Sequence, residues 1–76
     1  MGFNISQETL LKLKEQYKKG TRVELLQLDD PYRKIPIGTK GTVKLVDDIG
    51  TIHVSWDCGP SLGVVYGEDA CRVINE

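Results

Sequence analysis

Between Gly38 and Gly59 the chain runs Gly38-Thr39-Lys40-Gly41-Thr42-Val43-Lys44-Leu45-Val46-Asp47-Asp48-Ile49-Gly50-Thr51-Ile52-His53-Val54-Ser55-Trp56-Asp57-Cys58-Gly59. Two runs of alternating apolar and polar residues are joined by a short acidic turn that ends in glycine, with more glycines at either side. Alternation is the period of a strand with one dry and one wet face. A turn signal this short between two such runs leaves room for little but tight antiparallel pairing. In the second run Ile52, Val54 and Trp56 share the inner face, while His53, Ser55 and Asp57 share the outer one. In the first run Val43 and Leu45 are expected inward, alternating with Thr42 and Lys44. The stretch constrains architecture far more tightly than activity.

The flanking segments extend the pattern. Ser6 to Lys19 reads as an amphipathic helix, with Ser6 as N-cap, Ile5 stapled onto Leu10, and Gly20 at the C′ position. Leu10, Leu13 and Tyr17 form its apolar stripe, and Glu8–Lys12 and Glu15–Lys19 are favourable outer-face pairs. A helix this short is marginal alone and must dock on the rest of the chain. Arg22 to Leu28 is a first strand with Val23, Leu25 and Leu28 inward. Asp29 to Ile37 is a longer loop, kept irregular by Pro31 and Pro36, which cannot donate to a ladder. Cys58-Gly59-Pro60-Ser61 turns into a fourth strand, Leu62 to Tyr66. Gly67-Glu68-Asp69-Ala70 reads as one tight helical turn before a short fifth strand, Cys71 to Ile74. One helix and five short strands, with a long first loop, give the order of a mainly β, SH3-like five-stranded barrel. Closure would remove the exposed sheet edges. A single domain over residues 1–76 is expected, with the helix at 6–19 and the barrel at 21–75.

Composition narrows the function classes. A chain of 76 residues leaves little volume for a deep enclosed active site, so function is expected at the surface. The net charge is −1, yet residues 12–44 hold nine basic side chains against four acids, and the remainder holds Arg72 against seven acids. The split hints at a polarised surface. No apolar run approaches the roughly 18 residues of a membrane span, and no signal-peptide core follows Met1, so a cytoplasmic location is expected. The Met1-Gly2 start matches the loose N-myristoylation pattern, but an ordinary start and helix cap is the expected reading. Cys58 and Cys71 are expected to stay as thiols in the cytosol.

The segments Asp30-Pro31, Pro36-x-Gly38-Thr39-x-Gly41-Thr42-Val43, Val46 through Val54 followed by x-Trp56-Asp57-x-Gly59, Ser61-Leu62-Gly63 and Gly67-Glu68-Asp69 together resemble an uncharacterised family of small bacterial proteins. Its members tend to occur in phages, plasmids and conjugative elements. The resemblance covers about residues 20 to 74. It implies the SH3-like fold and a mobile-element setting, and it transfers no catalytic residue. More loosely, the chain is similar to two other SH3-like modules: the substrate-recognition barrel of certain eukaryotic ubiquitin ligases, and a ribosomal and transcription-factor barrel built on Gly-x-x-Gly-x-Val. The tyrosine-arginine segment of the first and the basic run of the second are missing here.

Several constellations invite chemical readings. His53, Ser55 and Asp57 would stand about 6.6 Å apart per step along one strand face, too far for the direct contact a nucleophile and its base need. Cys58, Cys71 and His53 lack the paired spacing of a zinc module. Asp47-Asp48-Ile49-Gly50 lacks the further oxygens of a calcium loop. Gly38-Thr39-Lys40-Gly41 mimics an RNA-clamping Gly-x-x-Gly, but it feeds a strand rather than joining two helices. Trp56 is expected in the core. The expectation is therefore a non-enzymatic binding module without metal or cofactor, contacting a protein partner. By analogy with SH3-like barrels, where the first loop, the acidic turn and the last turn border one groove, the candidate contacts are Tyr32, Arg33, Asp47, Asp48, Tyr66 and Asp69. The alternative is nucleic-acid binding through Lys12, Lys18, Lys19, Arg22, Arg33, Lys34 and Lys40, against which the acidic balance argues. The mobile-element resemblance adds a third reading, an inhibitor of a host defence enzyme.

Overall fold

Ser6 starts the helix as its sequence suggests. Its hydroxyl accepts the Thr9 backbone N–H at 3.1 Å, and α1 spans Gln7–Gln16. The computed structural model describes residues 6–29 and 35–75, so the expected staple by Ile5 lies outside the described residues. The helix stops at Tyr17 rather than running to Lys19. Tyr17 leaves helical geometry (φ −112°, ψ 61°), buries its ring, and donates its hydroxyl to the Cys71 carbonyl at 3.3 Å. Gly20 is already tied to the sheet, its N–H donating to the Val43 carbonyl at 2.8 Å. Leu13 and Tyr17 join the core, with Leu10 packed at its margin. The stripe read from helical spacing is thus the docked face. No helix among the described residues is long and apolar enough to cross a membrane.

Five strands follow: β1 (Arg22–Gln27), β2 (Lys40–Val46), β3 (Thr51–Trp56), β4 (Ser61–Val65) and β5 (Ala70–Val73). All four ladders are antiparallel, and the strands lie in the order β4-β3-β2-β1-β5. The fold is mainly β with one N-terminal helix. The sheet is open: β4 and β5 are its two ends, and no ladder joins them. Between β2 and β3 the Gly50 N–H closes onto the Asp47 carbonyl at 3.2 Å and the Asp47 N–H donates to the Thr51 carbonyl at 3.0 Å. Gly50 has φ +86°, the left-handed conformation that a three-residue hairpin loop needs at its end.

The core is the inner face of this sheet capped by the helix. Val23, Leu25, Val43, Ile52, Val54, Trp56, Leu62 and Val64 are buried, with Ile35 from the end of the first loop. Trp56 is only 2% exposed, and its indole N–H donates to the Leu62 carbonyl at 3.2 Å. Burying so large a ring requires that its one polar atom find a partner, and the neighbouring strand supplies it.

Two local expectations are corrected. Leu45 is 52% exposed, whereas Val46 is buried. The register passes from Val43↔Val54 directly to Leu45↔His53, so an extra residue, Lys44, bulges out of β2. A bulge reverses the alternation beyond it, which turns Leu45 outward and brings Val46 in. The segment from Gly67 to Ala70 is not a helical turn. Gly67 has φ +93°, and Ala70 already belongs to β5. The reversal is closed instead by the Glu68 and Asp69 N–H groups donating to the Val65 carbonyl at 3.0 and 2.8 Å.

Candidate functional site

The pairing of β1 with β5 brings Gln27 opposite Ala70. The residues just beyond β1 therefore lie beside the turn that precedes β5. There the Asp69 carboxylate accepts the Asp29 N–H on one oxygen at 2.7 Å and the Val65 N–H on the other at 3.0 Å. One side chain thus clamps the root of the long loop to the end of β4. On the adjoining ladder Thr51 faces Val65 and His53 faces Gly63. These three segments enclose a cleft of about 310 Å³ lined by Leu28, Asp29, Thr51, His53, Leu62, Gly63, Val65, Glu68 and Asp69. Gly63 keeps its floor open, since a Cβ there would lie 2.6 Å from the Thr51 methyl.

The acidic turn supports one wall. Asp47 accepts the Ile49 N–H at 3.1 Å and the Thr51 N–H at 2.9 Å, and its other oxygen meets His53 Nε2 at 2.9 Å. Burial alone would raise its carboxyl, but the hydrogen bonds from His53 and from the two backbone groups outweigh this and hold it below the ordinary carboxylate value. Asp47 thus shapes the turn and orients His53. A smaller hollow of about 260 Å³, lined by Lys44, His53, Val54, Ser61, Leu62 and Gly63, continues from the cleft across the outer face. Lys44, pushed out by the bulge, donates to the Ser61 hydroxyl at 3.0 Å.

Of the four candidate contacts among the described residues, three gather at the cleft and one does not. Asp69 lines the cleft, and Asp47 reaches it through His53. Tyr66, 37% exposed, bridges to Asp69 across the last turn. Asp48 lies elsewhere: it pairs with Lys14 at 2.8 Å and borders a groove beside α1 with Gln7, Leu10 and Leu11. Tyr32 and Arg33 lie outside the described residues, as does Lys34. Sequence reasoning missed Asp29, Glu68, His53 and Gly63 as lining residues. Glu68 was within reach, since it sits in the same glycine-acid-acid turn as Asp69.

The strand-face trio is not assembled. His53 turns to Asp47, and Asp57, just past β3, is held by the Arg22 guanidinium, whose Nη1 donates to Asp57 Oδ1 and to Thr42 Oγ1, each at 2.9 Å. The Arg22 hydrogen bonds hold the Asp57 carboxyl below its usual value. Arg72 pairs in turn with Glu24 at 2.7 Å. Both cysteines are free thiols: Cys58 is exposed, and burial pushes the Cys71 thiol up to about 11.

Neither curated proteins nor solved structures provide a match to this chain. Residues 6–74 match the family described as Domain of unknown function (DUF4314), so helix, sheet and cleft all fall within the matched span and the chain belongs to that family.

Proposed function

We propose that this chain is a small non-enzymatic binding module, cytoplasmic in a bacterial cell, that engages a protein partner through the cleft between the end of β1, the start of β3, the end of β4 and the last turn. The observation that carries this reading is the cleft itself. It has a part-apolar floor of Leu28 and Val65 beside polar groups held in place by backbone hydrogen bonds. A concave site with an apolar floor and a few fixed polar groups is the usual form of a recognition site. The strand order β4-β3-β2-β1-β5, with a long loop after β1, supports reading the curled sheet as SH3-like. In such a fold the first loop, the β2–β3 turn and the last turn border one groove. The resemblance to small proteins of phages and plasmids suggests a partner encoded by the host or by the element, a host defence enzyme among them.

Nucleic-acid binding is the weaker reading. Arg22, one of the seven cations of that reading, is engaged by Asp57, and phosphate recognition depends on cations that are available to it. Capture from host lysate, with and without nuclease, tests the choice when wild type is compared with Val65→Phe. That substitution places bulk in the cleft and leaves every charge intact. Nuclease-resistant capture that Val65→Phe abolishes supports the reading. Capture lost on nuclease treatment installs the nucleic-acid alternative, and capture indifferent to Val65→Phe removes the cleft from the function.

A further inference from the structure

The chemistry of the cleft narrows its occupant, an inference that rests on the binding-module reading above. Among the described residues its lining includes three carboxylates, Asp29, Glu68 and Asp69, and neither lysine nor arginine. A fourth, Asp47, stands directly behind His53 at 2.9 Å. Asp69 cannot swing away, because both of its oxygens are held by backbone N–H groups of the loop root and of β4. It is a fixed negative charge at the mouth of the cleft. Several cations that could otherwise neutralise this field are engaged elsewhere: Arg22 with Asp57, Arg72 with Glu24 and Lys14 with Asp48. Lys44 stands in the adjoining hollow, bonded to Ser61. Beside these carboxylates lies the apolar surface of Leu28 and Val65.

A cleft lined by one sign of charge over low-dielectric walls focuses its field on the opposite sign, and complementary charge sets which partner enters and how fast. An anionic segment would meet a carboxylate that cannot retreat. A neutral segment would leave the acids without compensation. We infer that the cleft receives an extended segment of a partner protein carrying lysine or arginine next to an apolar side chain. The apolar side chain rests on Leu28 and Val65, and the neighbouring cations meet Asp29, Glu68 and Asp69. The position of Lys44 confines the preference for positive charge to this end of the groove.

The test uses the full chain, isotopically labelled, and three end-blocked fluorescent peptides. Each has a central leucine, and the flanking positions are all lysine, all serine or all glutamate. Spermidine serves as a cation without an apolar group. The lysine peptide is expected to bind at least about tenfold more tightly than the serine peptide. Its affinity should fall severalfold between about 50 and about 300 mM salt, as the screening length shortens. Amide shifts should concentrate at Asp29, Thr51, His53, Gly63, Val65, Glu68 and Asp69. The double variant Asp29→Asn, Glu68→Gln alters two exposed residues and spares the Asp69 clamp. It should weaken the lysine peptide about fivefold or more, with its melting temperature unchanged as the check on folding. Equal binding of the lysine and serine peptides, tighter binding of the glutamate peptide, equal affinity for spermidine, or shifts centred away from the cleft would each overturn the inference. A serine or glutamate peptide that still maps to the cleft removes the charge preference and leaves the binding module standing. The module itself falls only with the Val65→Phe capture experiment.

Discussion

Gly41 is the position at which one added carbon should cost most. It lies in β2 between Val23 on one side and Trp56 on the other, and it is buried. Its backbone φ is not positive, so alanine brings no conformational strain and the penalty is purely steric. A Cβ built there would lie 2.6 Å from Val54 Cγ1, 2.7 Å from Trp56 Cε3 and 2.9 Å from the Ser55 carbonyl oxygen. Carbon atoms prefer about 3.5–4.0 Å, so the first two contacts are each about 1 Å too short. Val54 is 1% and Trp56 2% exposed, so neither can swing into solvent, and the third contact is backbone. Overpacking of this kind costs about 1–3 kcal/mol. The entropic gain of replacing glycine, about 0.4–1 kcal/mol, offsets only part of it. A net loss of about 1.3 kcal/mol should lower the melting temperature by about 5–10 °C in a domain of this size. Urea and thermal unfolding, followed by the fluorescence of the single tryptophan and by circular dichroism, measure it. Because Val54 Cγ1 is the nearest clash, Gly41→Ala combined with Val54→Ala should lose less than the sum of the single variants, by about 0.5 kcal/mol or more. A Gly41→Ala midpoint equal to or above wild type, or strict additivity in the pair, would refute the packing argument.

Truncation before Thr21 should lower the urea midpoint and expose apolar surface to a dye such as ANS, because it strips Leu13 and Tyr17 from the core; an unchanged midpoint would show that α1 is not docked. Asp47 and Asp57 have carboxyls held low in the folded state, so their stabilisation is present above the unfolded carboxylate value and is lost as pH falls through the folded one. Stability should therefore decline from about pH 5 downward, and Asp57→Asn should flatten that limb in urea titrations at stepped pH; an identical slope would discount the Arg22–Asp57 pair. Towards a thiol reagent at neutral pH, Cys58 should react at once and Cys71, half-buried and pushed up to about 11, far more slowly, since thiolate is the reactive form; two equally fast thiols would contradict the docking of Tyr17 over Cys71.

The sequence by itself determined what is encoded within a few residues. Alternation marked β1 and β3 and placed Trp56 inside. Ser6 marked the helix start, and the Leu10, Leu13 and Tyr17 spacing marked its docked face. Asp47 through Gly50 marked a reversal, because a side-chain cap and a left-handed glycine act locally. Tertiary structure decided whatever depends on register between distant segments. The bulge at Lys44 becomes visible only once β2 is laid against β3, and it sends Leu45 outward against its own alternation. Gly67 takes positive φ in the turn from which Asp69 reaches both Val65 and Asp29. Arg22 chooses Asp57, 35 residues away, over any acid near it in sequence. The cleft has the same origin. Its lining comes from the segment just past β1, from β3, β4 and the last turn, and the acids that give it a sign are brought together only by strand pairing. Local chemistry writes the elements, whereas the pairing that places Asp29 beside Asp69 is a property of the whole sheet.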